Sequence, residues 1–114
     1  MMIEGTQALL LRIFIGESDR YNGKPMYNHI VELAKSEGIA GATVLRGING
    51  FGKTSVIHNS SILRLSTDLP IVVEVVDEVA KIENFKKKLD GVIKGGMVTE
   101  EKVTIIRYSG ISDD

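Results

Sequence analysis

The chain has 114 residues, 43% apolar and 25% charged, and its 14 basic and 15 acidic side chains leave a formal net charge of -1. That length holds one domain around one core, and the composition excludes a disordered or coiled-coil chain. The charge balance excludes a global field for nucleic acid or anionic lipid. Without cysteine there are no disulfides, thiolate metal sites or cysteine nucleophiles. No apolar stretch nears the roughly 18 residues of a membrane span, and the start carries no basic leader, so the expectation is a soluble, cytoplasmic protein without direct membrane insertion.

Residues 8–15 read ALLLRIFI, a strand with Leu9, Leu11, Ile13 and Ile15 on one face and Leu10, Arg12 and Phe14 on the other. The polar stretch GESDRYNG leads to Pro25, suited to the first turn of a helix. The helix runs through MYNHIVELAKSE to Gly38 as its stop, with Met26, Ile30, Leu33 and Ala34 as the apolar stripe. A second strand is expected over about residues 42–48. From Asn49 to Asp68 the periodicity fails, apart from a short ILRL piece, and a connection this long in a small domain is functional or mobile. Pro70 opens a third strand, with Ile71, Val73 and Val75 on one face and Val72, Glu74 and Val76 on the other. Val79, Ile82, Phe85 and Leu89 place a second helix over residues 78–89, with Asp77 as its cap and Gly91 after it. The last strand is expected at about residues 102–108.

This order, with right-handed crossovers, predicts an α+β, ferredoxin-like βαββαβ sandwich: a four-stranded antiparallel sheet with two helices on one face. The single domain spans residues 1–114, with its core at about 8–108. The other face of the sheet has no cover within the chain, yet it carries Leu10, Phe14, Val72 and Val76. Burying that face against copies of the same chain is the expected remedy. Arg12 and Glu74 share it on the two central strands and are expected to pair.

Of twelve glycines, six gather in two places, Gly47, Gly50 and Gly52, then Gly91, Gly95 and Gly96. The first set lies in GINGFGKT, which matches the phosphate-binding pattern G-x-x-x-x-G-K-[ST]. That pattern needs a helix beginning at its lysine. The following TSVIHNSSILR has β-branched residues, an Asn-Ser-Ser break and no helical stripe, so a P-loop ATPase is disfavoured. His29 and His58 show no convergent ligands, and no metal is expected. Ser60, Ser61 and Ser66 lack a readable His and Asp, so no catalytic residue is assigned. Lys86, Lys87 and Lys88 read as the solvated side of the second helix.

Thr43 and Val44, followed by Gly50, Phe51, Gly52 and Lys53, resemble the second strand and loop base of the nitrogen-regulatory PII signalling proteins, with one extra residue between strand and glycines. GKPMYNHIVELAKSEGIAGATVLRGINGFG and LSTDLPIVVEVVDE are more closely similar to an uncharacterised PII-like family of archaea and bacteria. The resemblance implies a homotrimer that binds an adenine nucleotide in clefts between subunits. It also implies a partner, a membrane channel or transporter, met through the loop at about residues 49–68. Carried over, Thr43, Gly50, Gly52 and Lys53 line the cleft, with Gly47 beside them. Arg46 either reaches phosphate or pairs with an acid of a neighbouring chain. Gly95, Gly96, Met97 and Val98 stand at the second phosphate loop, which here lacks the acidic-basic pair of PII proteins. That departure favours AMP or ADP over ATP. Of the PII arginine pair near the end, Arg107 alone has a counterpart, and no tyrosine stands in the loop for modification. The reading is a regulator and not an enzyme. Its alternatives are a small nucleotide hydrolase using Lys53, or a structural or metal-tolerance trimer without nucleotide.

Overall fold

The computed structural model describes residues 5–51 and 69–109. In chain order these form β1 (Thr6–Gly16), a small hairpin of β2 (Arg20–Tyr21) and β3 (Lys24–Pro25), α1 (Met26–Ser36), β4 (Gly41–Arg46), β5 (Pro70–Glu78), α2 (Val79–Asp90) and β6 (Met97–Ile105). The four long strands make one sheet in the order β4-β5-β1-β6, every neighbouring pair antiparallel. With its two helices this is the expected ferredoxin-like α+β arrangement.

The alternation of β1 and β5 decides which face the helices take. Leu9, Leu11, Ile13 and Ile15 are buried with Ile71, Val73 and Val75, and the same cluster takes Met26, Ile30 and Ala34 from α1 and Ile82, Phe85 and Leu89 from α2. Both helices therefore cover one face, and each fully buried aliphatic or aromatic side chain contributes about 1.5–3 kcal/mol. Val79, placed by spacing on the α2 stripe, is instead 41% exposed at the first residue of the helix.

Three local expectations need correction. β6 begins at Met97, five residues earlier than its apolar content suggested, because it is an edge strand held by pairing to β1 from Phe14 to Thr6 and not by burial. Asp77 does not cap α2. It lies in β5, is 3% exposed, and accepts from the amides of Ala40 (2.9 Å) and Glu78 (2.6 Å), fastening the turn after α1 to the end of β5. The polar stretch after β1 is a hairpin whose turn, Asn22-Gly23, has both residues at positive φ (51° and 83°), the pairing that Asn-Gly favours.

Lys86 and Lys88 of α2 are tied down as well as solvated. Lys88 Nζ lies 3.5 Å from Glu37, and Lys86 Nζ lies 2.7 Å from Glu100 of β6 and 3.0 Å from Glu83. Glu100, then Glu83, raise the affinity of Lys86 for its proton. A lysine held more tightly in the folded state stabilises the fold below its unfolded pKa, and that contribution disappears as pH rises through the folded value. The melting difference between wild type and Lys86→Met should thus hold from pH 7 to 9 and close only above about pH 10.5. A difference that closed below pH 9 would contradict this assignment.

Candidate functional site

The face away from the helices is open among the described residues. Leu10, Phe14, Val72 and Val76 are partly exposed there, and Leu45 (49% exposed) and Met97 (55% exposed) extend the apolar surface to both edges. At its centre Arg12 Nε meets Glu74 Oε2 at 3.0 Å, as expected, and Arg12 Nη1 also meets Glu101 Oε1 at 2.7 Å. The two carboxylates, Glu101 first, push the guanidinium pKa above its already high ordinary value. One cation between two anions leaves a net negative charge in the middle of an apolar surface. Thr43 shares this face, in register with Glu74.

Gly47 and Gly50 after β4, and Gly95 and Gly96 before β6, sit at one end of the sheet. Gly16 pairs with Pro70, Arg46 with Ile71 and Phe14 with Met97, so the exit of β4 and the entry to β6 lie at the same end. They lie on opposite edges, however, three strand spacings or about 14 Å apart. Within one chain, the described glycines of the two sets are too far apart to grip one phosphate group between them.

Backbone geometry distinguishes the glycines. The Gly47 amide already donates to Pro70 O at 2.7 Å, and a Cβ there would lie 2.8 Å from Pro70 Cγ. Gly96 has φ +88°, and a Cβ there would lie 2.4 Å from the carbonyl oxygen of Phe14. Both are therefore accounted for by chain packing. Among the described residues, Gly95 has nothing within 4 Å of such an atom, and Gly50, whose φ of +148° itself favours glycine, has only Pro70 Cγ, at 3.4 Å. These two leave room for a ligand to approach the backbone. Met97 and Val98, expected in the second loop, are strand residues, Met97 on the open face beside Phe14 and Val98 opposite Ile13 on the helix side. Gly52 and Lys53, with most of the long connection, lie outside the described residues.

The guanidinium of Arg46 is taken by Glu17 of its own chain. Sequence reasoning missed Glu17, which stands 29 positions away with no motif linking the two. Arg107 lies at the opposite end of the sheet, lining a cleft of about 490 Å³ with Gly41, Val76, Ile105 and Tyr108. There the Tyr108 hydroxyl donates to Ala40 O at 3.1 Å. Eight residue steps of β5 separate this end from the glycines, roughly 27 Å, so Arg107 can join a glycine site only in another copy. His29 stacks on Tyr21 with ring centroids 4.2 Å apart. No cluster of three or more metal-ligating side chains occurs among the described residues, nor does a helix long and apolar enough to cross a membrane.

Comparison with known proteins places the chain in a family and its fold among solved structures. A model of the family DUF190, described as "Uncharacterized ACR", matches residues 8–105. A UPF0166 protein of Aquifex aeolicus is 43% identical over 97 residues, 85% of this chain and 91% of that protein. A UPF0166 protein of Methanocaldococcus jannaschii is 43% identical over 88 residues, 77% of this chain and 81% of that one. Among solved structures, a candidate PII-like signaling protein of Thermus thermophilus superposes with a TM-score of 0.65 at 15% identity, covering 91% of this chain and 94% of its own. CPII from Thiomonas intermedia, bound to ADP and bicarbonate, superposes with a TM-score of 0.56 at 13% identity, covering 92% and 91%. At these identities the structural likeness concerns the fold.

Proposed function

The chain belongs to the DUF190 family, and from that premise we propose that it is a PII-like regulator that binds an adenine nucleotide, AMP or ADP, between copies of itself in a homotrimer. The observation that carries this reading is the placement of Gly50 and Gly95, both open to approach, at one end of the sheet but on opposite edges. Such half-sites become whole when the β4 edge of one copy meets the β6 edge of the next. The uncovered apolar face supplies the reason for copies to meet.

Each residue then has a defined task. Gly50 and Gly95 admit backbone N–H groups to phosphate, Lys53 adds an ammonium charge, and Thr43 offers a hydroxyl from the edge of the open face. Gly47 and Gly96 shape the two turns. The structures of CPII with ADP, and with ADP and AMP, support the choice of ligand class. The connection between β4 and β5 is the proposed docking element for a partner, a membrane channel or transporter, and regulation requires that its states bind nucleotide unequally.

Calorimetric titration with AMP, ADP and ATP tests the reading. Saturable binding of AMP or ADP, weakened about 10-fold or more by Lys53→Ala, is the expected result. No heat with any of the three at millimolar ligand would overturn it. Steady ATP turnover abolished by Lys53→Ala would replace it with a hydrolase.

A further inference from the structure

Glu17, which no motif singles out, holds both chain segments that flank the long connection. Its amide donates to Leu69 O at 2.8 Å, just before β5 begins. Its carboxylate takes the guanidinium of Arg46, the last residue of β4. Because β5 lies between β4 and β1, this ion pair spans two strand spacings, about 10 Å, across the start of β5. The Glu17 side chain is 19% exposed and that of Arg46 57%. The carboxylate is thus set into the fold, while the guanidinium is free to leave it.

Resting on the nucleotide reading above, we propose that Glu17 is an internal stand-in for phosphate, occupying Arg46 while the site is empty and yielding it when a phosphate arrives. A guanidinium fork receives carboxylate and phosphate in the same planar, two-pronged way, so the two anions compete for one partner. Yielding Arg46 leaves Glu17 a largely enclosed carboxylate without its cation, next to an incoming anion. The first effect lowers affinity for every phosphate ligand. The second grows with ligand charge, so Glu17 discriminates against polyphosphates and in favour of a single phosphate group. Glu17 is a positioning residue that acts through Arg46. Phosphate binding would also undo the side-chain tie between β1 and β4 while leaving the backbone tie to Leu69 in place.

Titration of the full chain with AMP and ADP, for wild type, Glu17→Gln, Arg46→Gln and the double variant, tests this. Glu17→Gln should tighten ADP by about 3–10-fold and AMP by less, and in the Arg46→Gln background the gain should shrink to the repulsive part alone. Unchanged or weaker ADP binding by a folded Glu17→Gln protein overturns the inference, as does an equal gain for both nucleotides or a gain that is undiminished without Arg46. If neither wild type nor Glu17→Gln binds any adenine nucleotide, the nucleotide reading itself fails and this inference falls with it. Should Glu17→Gln melt well below wild type, Glu17→Ser removes the same charge and carries the same expectation.

Discussion

Gly96→Ala is expected to lower folding stability by about 2–4 kcal/mol, read as a shift of the urea midpoint at constant slope. Two costs combine. At φ +88° a side chain is strained by roughly 1–2 kcal/mol. The added methyl would also lie 2.4 Å from Phe14 O, a backbone atom of a central strand that cannot swing aside as a side-chain tip can. The turn into β6 must then shift, and with it the pairing of Met97 to Phe14. Gly95→Ala is the control: its Cβ meets nothing within 4 Å, so stability should change by about 0.5 kcal/mol or less. If Gly95 faces a ligand, its alanine variant loses nucleotide affinity without losing stability, the reverse of what Gly96→Ala does to the fold. A loss under about 1 kcal/mol for Gly96→Ala would show that the turn adapts freely.

The second large effect is expected from Val72→Asp. Val72 lies on the open face, in register with Phe14 on one side and Leu45 on the other. In an assembly that covers this face, a carboxylate there would be enclosed without a cation, at a cost of several kcal/mol per copy. Light scattering should find wild type at about three times its 12.5 kDa chain mass and Val72→Asp at the mass of one chain. Wild type at one chain mass would contradict assembly through this face, and an unchanged Val72→Asp mass would move the interface elsewhere. The substitution leaves the helix-facing core untouched, because Ile71 and Val73 point the other way, so the dissociated chain should still unfold cooperatively.

The parts of the fold that sequence displayed are those where burial imposes a period. β1 and β5 are central strands with one face on the helices, and their alternation assigned the core and open faces residue by residue. Edge strands carry a weaker signal. β6 opens with MVTEE, whose side chains are exposed, and what holds it is main-chain pairing that composition does not record. Because β6 begins earlier than its apolar content indicates, Glu101, the second carboxylate on Arg12, was hidden as well, although the first, Glu74, was legible from the matching alternation of β1 and β5. The hairpin within the polar stretch after β1 is legible through Asn22-Gly23, whose two positive φ values suit a tight turn.

The candidate site divides in the same way. Glycines and a lysine advertise phosphate chemistry locally, which is why the two clusters stood out. What each glycine does depends on an atom elsewhere in the chain: Pro70 for Gly47, Phe14 for Gly96, and open space for Gly95. The Glu17–Arg46 pair is a contact between strands that are not neighbours. No spacing rule reaches that far.

The two glycine turns stand on opposite sheet edges, and under the proposed function this makes the number of protein copies part of the signal. Neither edge surrounds a ligand alone, so ligand binding and assembly are linked by mass action: nucleotide holds copies together, and dilution of the protein loosens nucleotide. The threshold of response then depends on how much of the protein a cell makes. It can be reset through expression alone, with every residue that touches the nucleotide unchanged.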